Sequence, residues 1–143
     1  MQSVYFNNAD RSFCVSSKKR IKINIENIFK TVSKALSRLD FIFCSDEYLL
    51  QINKNFLQHD YYTDIITFPL SDKDQPIVAE VYISLDRVKE NASQHNVKFF
   101  DEVLRVVFHG ALHLCDYLDK TKKQQQVMRK KEDFYINLFH VKQ

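Results

Sequence analysis

A chain of 143 residues with 45% hydrophobic content has the material for one core, so residues 1–143 are read as a single domain. The formal net charge of +3 permits a nucleic-acid partner without requiring one, and no run approaches the ~18 apolar residues of a membrane span. The opening MQSVYFNNADRSF lacks the charged-then-apolar pattern of a signal peptide, and Cys14, Cys44 and Cys115 form no CxxC pair; the expectation is a cytoplasmic protein whose cysteines are reduced and buried as small hydrophobes.

Val4 to Asn8 reads as a first strand, and Ser12 to Ser16 as either a second extended piece or a loop. Lys18, Lys19, Arg20 and Lys22 form the densest basic cluster, which favours a solvated helix start over a phosphate contact. From Asn24 onward Ile25, Ile28, Phe29, Val32, Ala35, Leu36 and Leu39 recur at helical spacing and predict an amphipathic helix. Phe41 to Cys44 predicts a buried strand, and Ser45 the N-cap of a helix near Asp46 to Leu57 with Tyr48, Leu49, Ile52 and Phe56 on one side. Asp64 to Pro69 and Ile77 to Ser84 read as strands of a hairpin, joined by the polar turn Ser71 to Gln75.

Asp86 to His95 has helical periodicity on Val88 and Ala92 and stops at Asn96. Val97 to Cys115 is apolar almost all round, as only a helix covered on most sides can be. A last helix, Gln124 to Phe139, directs Val127, Phe134, Ile136, Leu138 and Phe139 inward. The fold class expected is α+β: a small mixed sheet of about four strands, helices packed on it, and a central buried helix carrying two histidines. The strand order does not follow from this pattern.

Those histidines stand in His109-Gly110-Ala111-Leu112-His113. Four apart on a helix, they lie about 40° apart around the axis and roughly 6 Å along it, so both imidazoles can face one point. Burial disfavours their protonated forms, and two imidazolium ions would repel; sharing a cation resolves both problems. From spacing alone, metal binding and a hydrogen-bonded core pair stand equal. Asp119 can complete a three-ligand set only if the helix ends near Asp116-Tyr117, because a continued helix would turn it about 240° away from His113. Gly110 is the only glycine in the chain, and costs about 1 kcal/mol relative to alanine in a helix interior. Room beside a metal and close packing against a neighbouring backbone explain it equally well. Cys115 points to the opposite side of the helix, and His95 and His140 read as surface residues.

The segment HGALHLCDYLD resembles the YbeY family of single-strand-specific endoribonucleases and rRNA maturation factors, whose motif is H-G-x-L-H-L-x-G-Y-D-H. His109, Gly110, Leu112, His113, Leu114 and Tyr117 match it directly. Upstream, Ile52-Asn53, Asp60, Thr63-Asp64, Thr67-Phe68-Pro69 and Glu80-Val81 are similar to the family's L-N-x-x-Y-R-x-x-D-x-x-T-D-V-L-S-F-P and G-D-I segments. The resemblance implies one divalent ion on His109, His113 and Asp119, zinc first. Asp119 stands where the family has a third histidine, so iron, manganese and nickel are also admitted.

Asp116 replaces a glycine at the helix exit, Leu57 an arginine, Ala79 a glycine and Glu80 an aspartate. The function implied is metal-assisted hydrolysis of a phosphodiester in single-stranded RNA, with an rRNA precursor and the small ribosomal subunit as partners. Gly110 stands where H-E-x-x-H proteases carry a glutamate base, so the helix has no base of its own. Asp64, Glu80 or His59 is expected to assist the water or orient a ligand. The rivals are a non-catalytic RNA-binding assembly factor with a structural metal and a metal-dependent hydrolase of another substrate. Lys120, Lys122, Lys123, Arg129, Lys130 and Lys131 could flank the site, although surface solvation accounts for most of them.

Overall fold

The computed structural model describes residues 3–59 and 63–141, so Asp60 lies outside the described residues. Four strands, β1 (Val4–Asn8), β2 (Leu36–Cys44), β3 (Ile65–Pro69) and β4 (Ile77–Ser84), form one mixed sheet in the order β1-β2-β4-β3. β1 and β4 both run parallel to β2, with Leu39 opposite Val4 on one side and Ala79 on the other. β3 is antiparallel to β4 in the expected hairpin, Thr67 opposite Val81. The stretch from Ser12 to Val15 takes the loop alternative.

Helix α1 spans Lys18–Thr31, earlier than the expected start and well short of Leu39. It stops because Ser33 turns left-handed at φ 56°, letting Ser33 N–H donate to Lys30 O at 3.0 Å and Lys34 N–H to Phe29 O at 2.9 Å. Leu36 and Leu39, expected on this helix, lie instead on β2. The period-2 reading wins there because a central strand gains hydrogen bonds on both sides. In the basic cluster Lys18 and Lys19 are exposed, and the Arg20 guanidinium lies 4.3 Å from the Phe139 ring centroid.

Helices α2 (Asp46–Leu57), α3 (Leu85–Gln94), α4 (Phe99–Leu114) and α5 (Lys122–Val141) complete the chain. Ser45 caps α2 as expected, accepting from Tyr48 N–H at 3.1 Å. Leu49 is buried on the packed side of α2 as expected, but Tyr48 and Phe56, expected there too, are exposed, and Leu50 and Asn53 are buried in their place. On α5 the inward stripe is Met128, Glu132, Tyr135, Ile136 and Phe139; Val127 and Phe134, expected inward, fall off that stripe and are exposed. Cys44 and Cys115 are buried thiols, pushed up to about 12 by desolvation, whereas Cys14 is exposed in the loop before α1. No helix among the described residues is long and apolar enough to cross a membrane.

Strand alternation sends Leu39, Phe41, Phe43, Ala79, Val81 and Ile83 to one face of the sheet, where they pack with α1, α4 and α5 in the main core. Cys44, Ile66 and Tyr82 point to the other face and meet Leu49 and Ile52 of α2. The expected central helix is α4, on which Val103, Leu104, Phe108 and Ala111 are wholly buried. Gly110 lies where α4 crosses the sheet: a Cβ there would stand 3.1 Å from Ile65 Cδ1 and 3.1 Å from Val81 Cγ1. Close packing is therefore the reason for this glycine, but against the side chains of Ile65 and Val81 and not against the expected neighbouring backbone. Gly110→Ala is expected to lower stability by about 1 kcal/mol, because overpacking of ~1–3 kcal/mol outweighs the ~1 kcal/mol gained in helix propensity. A fall in the urea midpoint at constant slope would show it.

Candidate metal centre

Packing Gly110 onto Val81 presses one face of α4 to the sheet and leaves His109 and His113 on the flank, where their side chains are 21% and 29% exposed. The helix ends at Cys115, with Asp116 left-handed at φ 70°. Asp116 N–H donates to His113 O at 3.1 Å and Tyr117 N–H to Leu112 O at 3.1 Å, the hydrogen-bond pattern that glycine usually makes possible at a helix end. Lys34 Nζ, 2.8 Å from Asp116 Oδ2, ties this turn to the loop after α1. The break that Asp119 requires is therefore present.

The loop then returns toward α4. Thr121 and Gln124 form a reciprocal cap: Thr121 Oγ1 accepts from Gln124 N–H at 3.1 Å, and Gln124 Oε1 accepts from Thr121 N–H at 3.1 Å. Gln125 Nε2 donates to the Asp119 carbonyl at 3.0 Å, fixing the backbone of the residue between the two helices. As a result Asp119 Oδ2 lies 3.3 Å from Nε2 of His109 and 3.3 Å from Nε2 of His113. Ligands ~2.0–2.1 Å from a tetrahedral ion are separated by roughly 3.3–3.4 Å, so both edges match a shared cation. The three donor atoms lie within 4.8 Å of one another and could hold a metal ion.

Sequence reasoning missed the partner behind this set. Glu132, buried on α5, places Oε2 2.6 Å from His109 Nδ1 and Oε1 2.9 Å from Arg105 Nη1; Arg105 Nη2 reaches Asp133 at 2.7 Å. A carboxylate only accepts, so His109 Nδ1–H donates to Glu132, and Nε2 is left to take a proton or a cation shared with Asp119, as in carboxylate–histidine–metal arrangements. Burial pulls the His109 imidazolium down, but the hydrogen bond to Glu132 and the nearby Asp119 and Asp64 charges outweigh it and raise the group above its ordinary value. Glu132 shares the inward stripe of α5 with Met128 and Tyr135, and a carboxylate in that position is the signal that could have revealed it.

Asp64, just before β3, lines the wall of a cavity of about 600 Å³ that also contains His109, His113, Asp119 and Lys73. Burial pushes its carboxyl up, with the His109 charge opposing. Glu80 is not brought to this cavity. It neighbours Val81 on β4, so strand alternation turns it to the opposite face, where its carboxylate accepts from Tyr82 Oη at 3.1 Å. His59 is exposed beyond the α2 C-cap and lines neither cavity at His109; Leu57 is exposed and also absent from both walls.

A four-stranded mixed sheet carrying a helix whose two histidines converge with a loop carboxylate defines a small α+β protein with a candidate catalytic metal centre. A family model described as Endoribonuclease YbeY matches residues 5–140. Endoribonuclease YbeY of Cytophaga hutchinsonii is 43% identical over 137 residues, 96% of each chain, and that of Christiangramia forsetii is 41% identical over 94% of each. The solution structure of a Thermotoga maritima protein superimposes with a TM-score of 0.64 at 28% identity, covering 95% of this chain and 88% of that one. The chain belongs to the YbeY endoribonuclease family.

Proposed function

We propose that this chain is an endoribonuclease that cleaves single-stranded RNA in rRNA maturation, using one divalent ion, zinc first, held by His109, His113 and Asp119. The observation that carries this reading is the convergence of two histidine Nε2 atoms on one Asp119 oxygen, 3.3 Å from each, at the wall of an open cavity. A divalent ion there supplies Lewis acidity, lowering the pKa of water and polarising a phosphoryl oxygen. Glu132 holds the His109 ring and its tautomer, and Asp64, with its carboxyl raised by burial, is placed to accept a proton in the same cavity. Lys73 at the rim offers a charge to the RNA backbone. An rRNA precursor and the small ribosomal subunit are the partners this function implies, in the cytoplasm.

The test is cleavage of a single-stranded small-subunit rRNA precursor by metal-loaded protein beside His113→Ala. Cleavage by the parent that falls to background in the variant is the expected result. RNA binding by both, without cleavage by either, would replace this reading with that of an assembly factor holding a structural metal.

A further inference from the structure

On the α3–α5 side of His109 lies a second cavity, of about 460 Å³, which shares His109, Asp119 and Asp64 with the first but is otherwise walled by different residues. Val106 and Met128, 4% and 2% exposed, give it an apolar floor. Glu102, 6% exposed, lines it and makes no side-chain hydrogen bond or ion pair among the described residues. No side-chain oxygen shut off from solvent lacks a partner among those residues, so the unpaired Glu102 oxygens open into the cavity. A carboxylate that is mostly buried yet opens to a cavity, with no donor of the protein on it, is a position where a ligand can supply the donors in place of water.

The remaining polar wall holds three more carboxylates, Asp64, Asp119 and Glu132, of which Glu132 is engaged by His109 and Arg105 and Asp119 faces the two histidines, together with donors in the Asn91 amide, the His95 ring and the exposed Arg129 guanidinium. Arg105 is already engaged by Glu132 and Asp133 and is not available in the same way. An apolar floor with the free Glu102 acceptor beside the donors of Asn91 and Arg129 suits a planar base. Guanine presents two adjacent N–H donors, N1 and N2, beside the acceptors O6 and N7. Adenine and cytosine present a single amino donor next to a ring-nitrogen acceptor, and uracil one N–H between two carbonyls.

We propose that this cavity is a guanine-reading subsite, with Glu102 accepting from N1–H and N2–H and Arg129 and Asn91 donating to O6 and N7, next to the metal centre. It rests on the nuclease reading for its biological use. Burial raises the Glu102 carboxyl, and the paired donors of guanine offset that desolvation.

The experiment measures equilibrium binding of guanosine, adenosine, cytidine and uridine 5′-monophosphates to the full chain, its Glu102→Gln and Arg129→Ala variants, and His113→Ala. Guanosine monophosphate is expected to bind about tenfold tighter than the others, the increment of one bidentate contact. The preference should vanish in Glu102→Gln, weaken severalfold in Arg129→Ala and persist in His113→Ala. Equal binding of the four nucleotides overturns the proposal, as does an undiminished preference in a folded Glu102→Gln. If Glu102→Gln does not fold, an undiminished preference in Arg129→Ala overturns it. A guanine preference in a chain that cleaves no RNA would sink the nuclease reading and leave the subsite standing.

Discussion

Asp119→Ala should lose its metal as completely as His113→Ala, whereas Asp119→His should retain zinc. The expectation follows from the two 3.3 Å separations at Asp119 Oδ2: with that oxygen gone, two imidazoles remain, one fewer protein ligand than catalytic zinc sites use. The bond that holds the loop should survive either change, because Gln125 grips the backbone carbonyl of residue 119 and not its side chain. A histidine there restores an all-imidazole set of the kind zinc accepts. Metal content of protein purified without affinity tags or chelators measures both variants. Full occupancy in Asp119→Ala would place the third ligand elsewhere.

Glu132→Gln is expected to weaken metal binding by about 10- to 100-fold, the usual cost of removing the group that orients a metal-bound histidine. It should also change how the metal-free protein responds to pH. Glu132 helps to raise His109 above its ordinary value of 6.5, so the proton on His109 stabilises the fold. That stability is fully present below the unfolded value and is lost as pH rises through the higher folded one. The melting-temperature advantage of the parent over Glu132→Gln should therefore be largest in acid and shrink through neutrality. Equal metal affinity together with melting profiles that stay parallel across this range would exclude the positioning role.

The sequence carried this centre unevenly, for physical reasons. His109 and His113 were readable because a helix brings i and i+4 together whatever surrounds it. Asp119 was readable only on condition of a helix stop, and the stop depends on Asp116 adopting a left-handed conformation that aspartate tolerates but does not announce. Glu132 was invisible because its partner lies 23 residues away on another helix, a relation set by packing and not by spacing. Glu80 misled because period-2 alternation assigns faces only once a neighbour is known, and Gly110 against Val81 supplied that neighbour.

The fold shows the same division. Hairpin, capped α2 and apolar α4 rest on local patterns and matched the structure. The α1–β2 boundary failed because Ala35, Leu36 and Leu39 satisfy a helical stripe, while the strand they join is stabilised by partners on both sides that no local window contains.

Asp119 has a further consequence when the charges around it are counted. Where an imidazole would bring none, it brings one negative charge, and Glu132 places a second against the same histidine. Glu132 also carries the Arg105 guanidinium, 2.9 Å away, so it is the Asp119 carboxylate that would lower the charge of a bound divalent cation, and the centre would draw in a polyanion less strongly than an all-imidazole one. More of the long-range pull on RNA then falls to the cavity rims, with Lys73 on one side and Arg129 on the other, and is screened by salt accordingly. Ionic strength should therefore govern RNA capture more than cleavage.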